Sequence, residues 1–172
     1  MSRAIFLDRD GVLNKLVERD GGYYSPQRFQ DFILFDNVGY VTSKLKEKGF
    51  YIIIVSNQPD ISRGRLTTKT LFKMTNELKS NVNTDDILYC THDDNDRCNC
   101  RKPKPGMIIE SAKKWNIDLN RSLMVGDTIN DLKAAENANV KFILMNNTHN
   151  KNIICKNRID DLDQLINKVK DD

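Results

Sequence analysis

The sequence predicts an α/β protein built on a doubly wound parallel sheet, and three observations carry that expectation. Five short apolar runs are continuous rather than alternating, helical patterns separate them, and polar residues fit for chemistry follow four of the runs directly. Continuous apolar strands suit a parallel sheet covered on both faces, and regular strand–helix alternation supplies the crossovers such a sheet needs. At 172 residues the chain suits one domain, residues 1–172, better than two.

Taken in order, the runs at Ala4–Leu7, Tyr51–Val55, Asp86–Tyr89, Ser122–Val125 and Lys141–Met145 read as buried strands. Helical patterns fall at Val38–Lys48, Thr68–Lys79, Gly106–Trp115 and Asn130–Asn137, with a last one at Leu162–Val169. Gly11 to Asn37 has the length of a small flap, so no large cap domain is expected. Within it, "ERDGGYYSPQRF" presents Tyr23 and Tyr24, either as a wall for a ligand or as ordinary packing.

Bulk properties exclude several classes. With 30% charged residues and a mean hydropathy of −0.56, a soluble globular protein is expected. No apolar run approaches bilayer length, and the apolar patch in "MSRAIFLDRDG" meets charge at once, unlike a signal peptide. A cytoplasmic location with reduced thiols follows as an expectation, and no membrane partner is expected. A net charge of +3 is too small to argue for nucleic acid. The expected partner is a phosphorylated small molecule, met by a monomer.

In such a sheet chemistry sits just beyond the carboxyl ends of the strands. The first run is followed by "DRDG" (Asp8, Asp10), the second by "SNQ" (Ser56, Asn57, Gln58) and the fourth by "GDTIND" (Asp127, Asp131). After the third come a cysteine cluster and the cations Arg101 and Lys102. Three carboxylates gathered without a cation would repel one another, and Mg²⁺ relieves this with hard oxygen ligands. Mg²⁺ in turn favours a phosphorylated substrate. A carboxylate beside a metal-held phosphate can be a nucleophile, a second can move the proton, and Ser56 and Lys102 can steady the transferring group. Alone, each motif has a plain reading as a solvated turn, a loop cap or a helix N-cap. Their conjunction at consecutive strand ends favours catalysis.

Cys90-x-His92 and Cys98-x-Cys100 offer three thiolates and one imidazole, a set suited to tetrahedral Zn²⁺. The alternative is a disulfide or free buried thiols, which a reducing compartment and the short Cys-x-Cys spacing disfavour. Four protein ligands leave no open coordination position, so the zinc is expected to be structural and to fix the chain where Arg101 and Lys102 leave it. Cys155 reads as a structural or incidental thiol, and Arg63 in "ISRGRLTT" is expected near the rim, the plain alternative for that stretch being that Gly64 makes a turn and Thr67 caps the next helix.

Together "IFLDRDGVLN", "IIIVSNQ", "CRKPKPG" and "MVGDTINDLKAAENANV" resemble, in order, the four motifs of the haloacid dehalogenase superfamily of phosphohydrolases, over about Ala4 to Val140. "SNQPDISRG" and "CNCRKPKPGM" are most similar to its heptose-bisphosphatase branch, which serves surface-polysaccharide precursor synthesis, and next to its zinc-binding histidinol-phosphate branch. The resemblance implies Asp8 as nucleophile and Asp10 as general acid/base. It implies Mg²⁺ on Asp8, the main-chain carbonyl of Asp10 and Asp127, and phosphoryl stabilisation by Ser56 and Lys102. Asn57, Gln58 and Arg101 would meet the rest of the substrate, as Arg63 and Tyr23 could from the rim, while Asp131 would support the metal. Pro59-Asp60, Thr128, Asn139 and a loop of only five residues between His92 and Cys98 depart from the heptose branch. A polynucleotide 3′-phosphatase and a dead-site zinc scaffold are weaker alternatives, the latter opposed by the retention of both Asp8 and Asp10.

Overall fold

In the computed structural model, residues 1–169 are described. Along the chain run β1 (Arg3–Leu7), a hairpin of β2 (Val17–Arg19) and β3 (Gly22–Tyr24), α1 (Val38–Glu47), β4 (Phe50–Asn57), α2 (Thr68–Asn81) and β5 (Asp86–Cys90). Then come α3 (Gly106–Trp115), β6 (Leu123–Gly126), α4 (Ile129–Asn137), β7 (Lys141–Met145), β8 (Arg158–Ile159) and α5 (Gln164–Lys168). Six strands form one parallel sheet in the order β5-β4-β1-β6-β7-β8. The chain builds outward from β1 through β4 to β5, then crosses back to lay β6 on the other side of β1. The switch point therefore lies beside β1, where such sheets form their crevice.

Alternation within each strand divides the core between the two faces. Ile5 and Leu7 pack with Leu45, Met74 and Leu165 from α1, α2 and α5, while Ala4 and Phe6 pack with Met107, Ile108 and Ala134 from α3 and α4. All five residues of β1 are buried, as a central strand covered on both faces requires. The run at Asp86–Tyr89, expected as buried, is only half-buried as β5. It is the edge of the sheet, paired on one side by β4 alone.

β4 runs two residues beyond its apolar stretch because Ser56 and Asn57 stay in the ladder, opposite Tyr89 and Cys90. The expected flap is present as the β2–β3 hairpin, which turns at Asp20 (φ 50°) and Gly21 (φ 73°). That pair of positive φ values fits a two-residue hairpin turn whose right-handed twist matches the strands. Gln27 anchors the flap, accepting from Arg19 Nη1 at 2.9 Å and donating to Asp60 Oδ2 at 2.8 Å. Asp60 thus has a structural role. Asn139 has another: it follows α4 at φ 56°, a left-handed conformation that asparagine tolerates better than most residues other than glycine. No helix among the described residues is long and apolar enough to cross a membrane.

Candidate active site

β1, β4 and β6 end side by side, and their last residues meet the loop that follows β5. Asp8 and Asp127 follow β1 and β6 directly, and both are buried. Thr128 caps α4 and closes a capping box: Asp131 Oδ2 accepts from the Thr128 main-chain N–H at 3.0 Å, and Thr128 Oγ1 accepts from Asp131 N–H at 3.3 Å. This reciprocal lock fixes the buried Asp131 carboxylate. Gly126 is needed beside it, because a Cβ there would stand 2.3 Å from Asp131 Cβ.

Lys102 crosses into this group from the loop after β5. Its Nζ is 2.7 Å from Asp8 Oδ1 and 2.6 Å from Asp131 Oδ1, and it donates to Val55 O at 2.9 Å. Burial opposes the Lys102 ammonium, but the facing Asp131 and Asp8 carboxylates outweigh it and hold its pKa above the usual lysine range. Asp8 goes the other way. Burial first, then Asp131, Asp127 and Asp10, overcome the Lys102 charge and push its carboxyl up to about 8. Burial, aided by Asp131, also raises Asp127 against the pull of His149.

These shifts describe a cation-hungry site. Oxygens of Asp8, Asp127 and Asp131 lie within 4.8 Å of one another, and Asp127 Oδ1 is buried with no hydrogen-bond partner among the described residues. A divalent cation would pair that oxygen and return the carboxylates to their charged forms, so the residues present fit Mg²⁺. Gly11, at φ 86°, packs against Asp127 so closely that a Cβ would meet Oδ2 at 2.2 Å.

The Asp10 side chain turns away from this carboxylate group. Both its oxygens accept from the guanidinium of Arg9, at 2.9–3.0 Å, and Oδ2 accepts from Gln58 Nε2 at 2.7 Å. Arg9 is fully buried, with its guanidinium over the Phe32 and Tyr89 rings at 5.3 and 5.7 Å. Nothing in the sequence pattern marks it apart from its place between the two aspartates.

Three residues expected to contact substrate have protein partners of their own. Gln58 is 2% exposed and its amide is committed to Asp10 and, at 3.0 Å, to Ser56 Oγ, so it orients the acid/base candidate instead of meeting substrate. Asn57 reaches the cavity but spends its amide on the Lys102 main chain, accepting from N–H at 3.0 Å and donating to C=O at 2.9 Å. Arg63 is bound to Asp93 and Asp94 in the loop after β5 and lies outside the cavity walls. Gly64 does turn at φ 69°, and Thr67 does cap α2 by accepting from Thr70 N–H at 3.1 Å.

The cavity over these groups has a volume of about 290 Å³ and is walled by Asp8, Asp127, Lys102, Arg101, Tyr23 and His149 among others. Ser56 is 1% exposed just behind it. Arg101 Nε is held by Asp94 Oδ1 at 2.8 Å. A second space of about 570 Å³ lies across Tyr23 and His149, away from the Asp8–Lys102 pair; charge and proton-transfer groups, not volume, identify the smaller one as the site. His149 and Ser25, which also line it, carry no motif that would have singled them out.

Cys90, His92, Cys98 and Cys100 gather their ligand atoms within 4.8 Å, and all four cysteines of the chain are free thiols. Sulfur–sulfur distances are 3.7 Å (Cys90–Cys98) and 3.2 Å (Cys90–Cys100), and His92 Nδ1 lies 3.6 and 3.3 Å from Cys90 and Cys100. Tetrahedral zinc with its usual bond lengths sets such separations at roughly 3.5–3.8 Å, so the cluster could hold that ion. Burial, then Cys100, pushes the Cys90 thiol up to about 12, a proton that binding a metal would displace. Cys155 stays outside, donating to Asn157 O.

A parallel sheet whose switch point gathers three carboxylates and a buried lysine suits the metal-assisted hydrolysis of phosphate esters. The comparisons agree: a family profile described as haloacid dehalogenase-like hydrolase matches residues 18–139. The chain is 35% identical to the D-glycero-beta-D-manno-heptose-1,7-bisphosphate 7-phosphatase of Helicobacter pylori (strain J99), over 98% of both chains. It is 37% identical to the protein of the same name in Haemophilus influenzae, over 82% of this chain and 79% of that one. A crystal structure of D,D-heptose 1,7-bisphosphate phosphatase from B. bronchiseptica, complexed with magnesium and phosphate, superposes with a TM-score of 0.82 at 27% identity, covering 96% of this chain and 97% of the other. The chain belongs to the haloacid dehalogenase-like hydrolases, and within them it is a phosphatase.

Proposed function

We propose that the protein removes the 7-phosphate of D-glycero-β-D-manno-heptose 1,7-bisphosphate by way of an aspartyl-phosphate on Asp8. The observation that carries this reading is the Asp8 carboxylate at the floor of the cavity, 2.7 Å from Lys102 Nζ and grouped with Asp127 and Asp131. The sugar and anomer are supported by the names of relatives at 35–37% identity.

In this reading an Asp8 oxygen attacks phosphorus as the bond from phosphorus to the C7 oxygen breaks. Asp10, an acceptor on both oxygens while it is held by Arg9 and Gln58, would leave them, take up a proton from solvent and give it to the departing alkoxide. It then takes a proton from the water that attacks the aspartyl-phosphate, which returns Asp8 and releases inorganic phosphate. Lys102 faces the charge that spreads over the phosphoryl oxygens, and the Ser56 hydroxyl, buried and accepting from Gln58, would turn outward to join it. Asp8, Asp127 and the main-chain carbonyl of Asp10 would hold Mg²⁺, which when bound supplies positive charge to nucleophile and phosphoryl group alike. Arg101, held by Asp94, would meet the far end of the substrate in this reading.

Zinc on Cys90, His92, Cys98 and Cys100 is structural in this account. Cys100 adjoins Arg101 and Lys102, so the metal fixes the backbone from which both cations project. A reduced thiolate cluster suits the cytoplasm. The test is phosphate release with Mg²⁺ from both anomers of heptose 1,7-bisphosphate and from histidinol phosphate, with Asp8→Asn as blank. Preference for the β anomer supports the reading, whereas preference for histidinol phosphate overturns the substrate and keeps the chemistry.

A further inference from the structure

One cluster around the carboxylates has no part in that mechanism. After β7 the chain turns back over the site through residues 146–150. Asn150, 1% exposed, pins this turn by donating to the main-chain oxygens of Asp127 and Met145, both at 2.8 Å. The turn delivers two further side chains to one carboxylate oxygen: Asn147 Nδ2 donates to Asp127 Oδ2 at 3.1 Å, and His149 Nε2 stands 3.2 Å from it. Once a cation holds Asp127 as a carboxylate, that oxygen only accepts, and Nε2 is the donor of the pair. Oδ2 is thereby saturated, while Oδ1 is left buried without a partner among the described residues.

The other face of the same imidazole meets the flap. The Tyr23 ring stacks on His149 with centroids 5.2 Å apart and planes at 29°, and both rings wall the 290 Å³ cavity as well as the larger space behind it. The stack sets the plane of the imidazole, and so the direction in which Nε2 points.

We infer that His149 is a positioning residue that couples the flap to the divalent-cation site: it holds Asp127 with Oδ1 presented to the ion, and the flap's Tyr23 holds His149. The inference rests on Asp127 being a cation ligand, as the proposed function has it. Partners that orient a ligating carboxylate tune metal affinity without touching the metal. Coupling of this kind is reciprocal, so displacing the flap must weaken the ion and binding the ion must steady the flap.

The experiment is calorimetric titration of the zinc-loaded, full-length protein with MgCl₂, without substrate. Wild type should bind. His149→Ala should weaken Mg²⁺ roughly 10- to 100-fold, and His149→Gln, whose amide can still donate, should recover much of the loss. Tyr23→Ala, which removes the ring stacked on His149, should weaken Mg²⁺ about fivefold, while Tyr23→Phe, which keeps the ring, should match wild type. Mg²⁺ affinity in His149→Ala within twofold of wild type overturns the inference. So does loss in His149→Ala with none in Tyr23→Ala, which removes the link to the flap. Because substrate is absent, a wrong sugar assignment leaves these outcomes unchanged. No Mg²⁺ binding by wild type defeats the metal reading of Asp127 and the inference with it.

Discussion

Arg101 and Lys102 are neighbours in the chain, yet their charges end in opposite surroundings. Lys102 is 4% exposed and lies between Asp8 and Asp131, themselves buried. Arg101 pairs with Asp94, whose side chain is 73% exposed, and Asp94 also faces Arg63. Similar residue types form both networks, but only the first is removed from water. There Asp8 is forced up to about 8, whereas the Arg63 guanidinium and the Asp94 N–H hold the half-buried Asp93 down at about 2. Burial turns one set of ion pairs into a reactive, cation-demanding site and leaves the other as a solvent-screened brace for a loop.

The comparison breaks most visibly through activity. Asp10→Asn should lower kcat by about 10²–10⁴-fold, and Asp8→Asn should fall further, to the blank, with the fold intact by circular dichroism. Asp8→Asn turnover near wild type would remove the covalent route. Lys102→Met comes next: it strands buried carboxylates and should destabilise the protein by about 3–5 kcal/mol in urea unfolding. A loss under 1 kcal/mol would mean that water reaches the pair.

Zinc should be present at one ion per chain by elemental analysis. Stripping it and restoring Mg²⁺ should leave activity several-fold down through disorder of the Arg101–Lys102 segment. Unchanged activity would separate the two sites.

The fourth prediction concerns pH without divalent cations. Folding raises the Asp8 pKa from about 4 to about 8, so the folded state binds the extra proton. That contribution to stability is complete below the unfolded value and is lost as pH rises through about 8. The thermal midpoint of the metal-free protein should therefore fall between pH 4 and 8, and Asp8→Asn should flatten the fall. Smallest of all, Arg63→Ala should raise KM only a few-fold, and less at high salt, since its partners, the half-buried Asp93 and the exposed Asp94, are reached by salt. A loss as large as that of Lys102→Met would show that the loop brace is as critical as the buried network.

The flap also shows how local and distant information divide. Its turn is written in Asp20-Gly21, a short-range hairpin signal, and its position depends on Gln27 reaching Asp60 and Tyr23 reaching His149, 33 and 126 residues away along the chain. The two substrate candidates whose amides have protein partners, Asn57 and Gln58, follow the same rule. Residue type and strand end were readable, but Asn57's amide was claimed by Lys102 and Gln58's by Asp10, each by a contact spanning more than forty residues.

By itself the sequence determined the parallel sheet, the strand ends that carry Asp8, Ser56 and Asp127, and the four-ligand Cys/His cluster. Each depends on nearby residues: apolar runs of strand length, chain reversal after a strand, ligands a few positions apart. Only the tertiary structure decided that Arg9 is buried against Asp10, that Asp131 shares Lys102 with Asp8, that Arg63 braces a loop, and that His149 stands over Asp127. Those are contacts between side chains whose burial and orientation arise only when the sheet has closed. No local pattern encodes them, because the same residue in the same local conformation serves equally well in water.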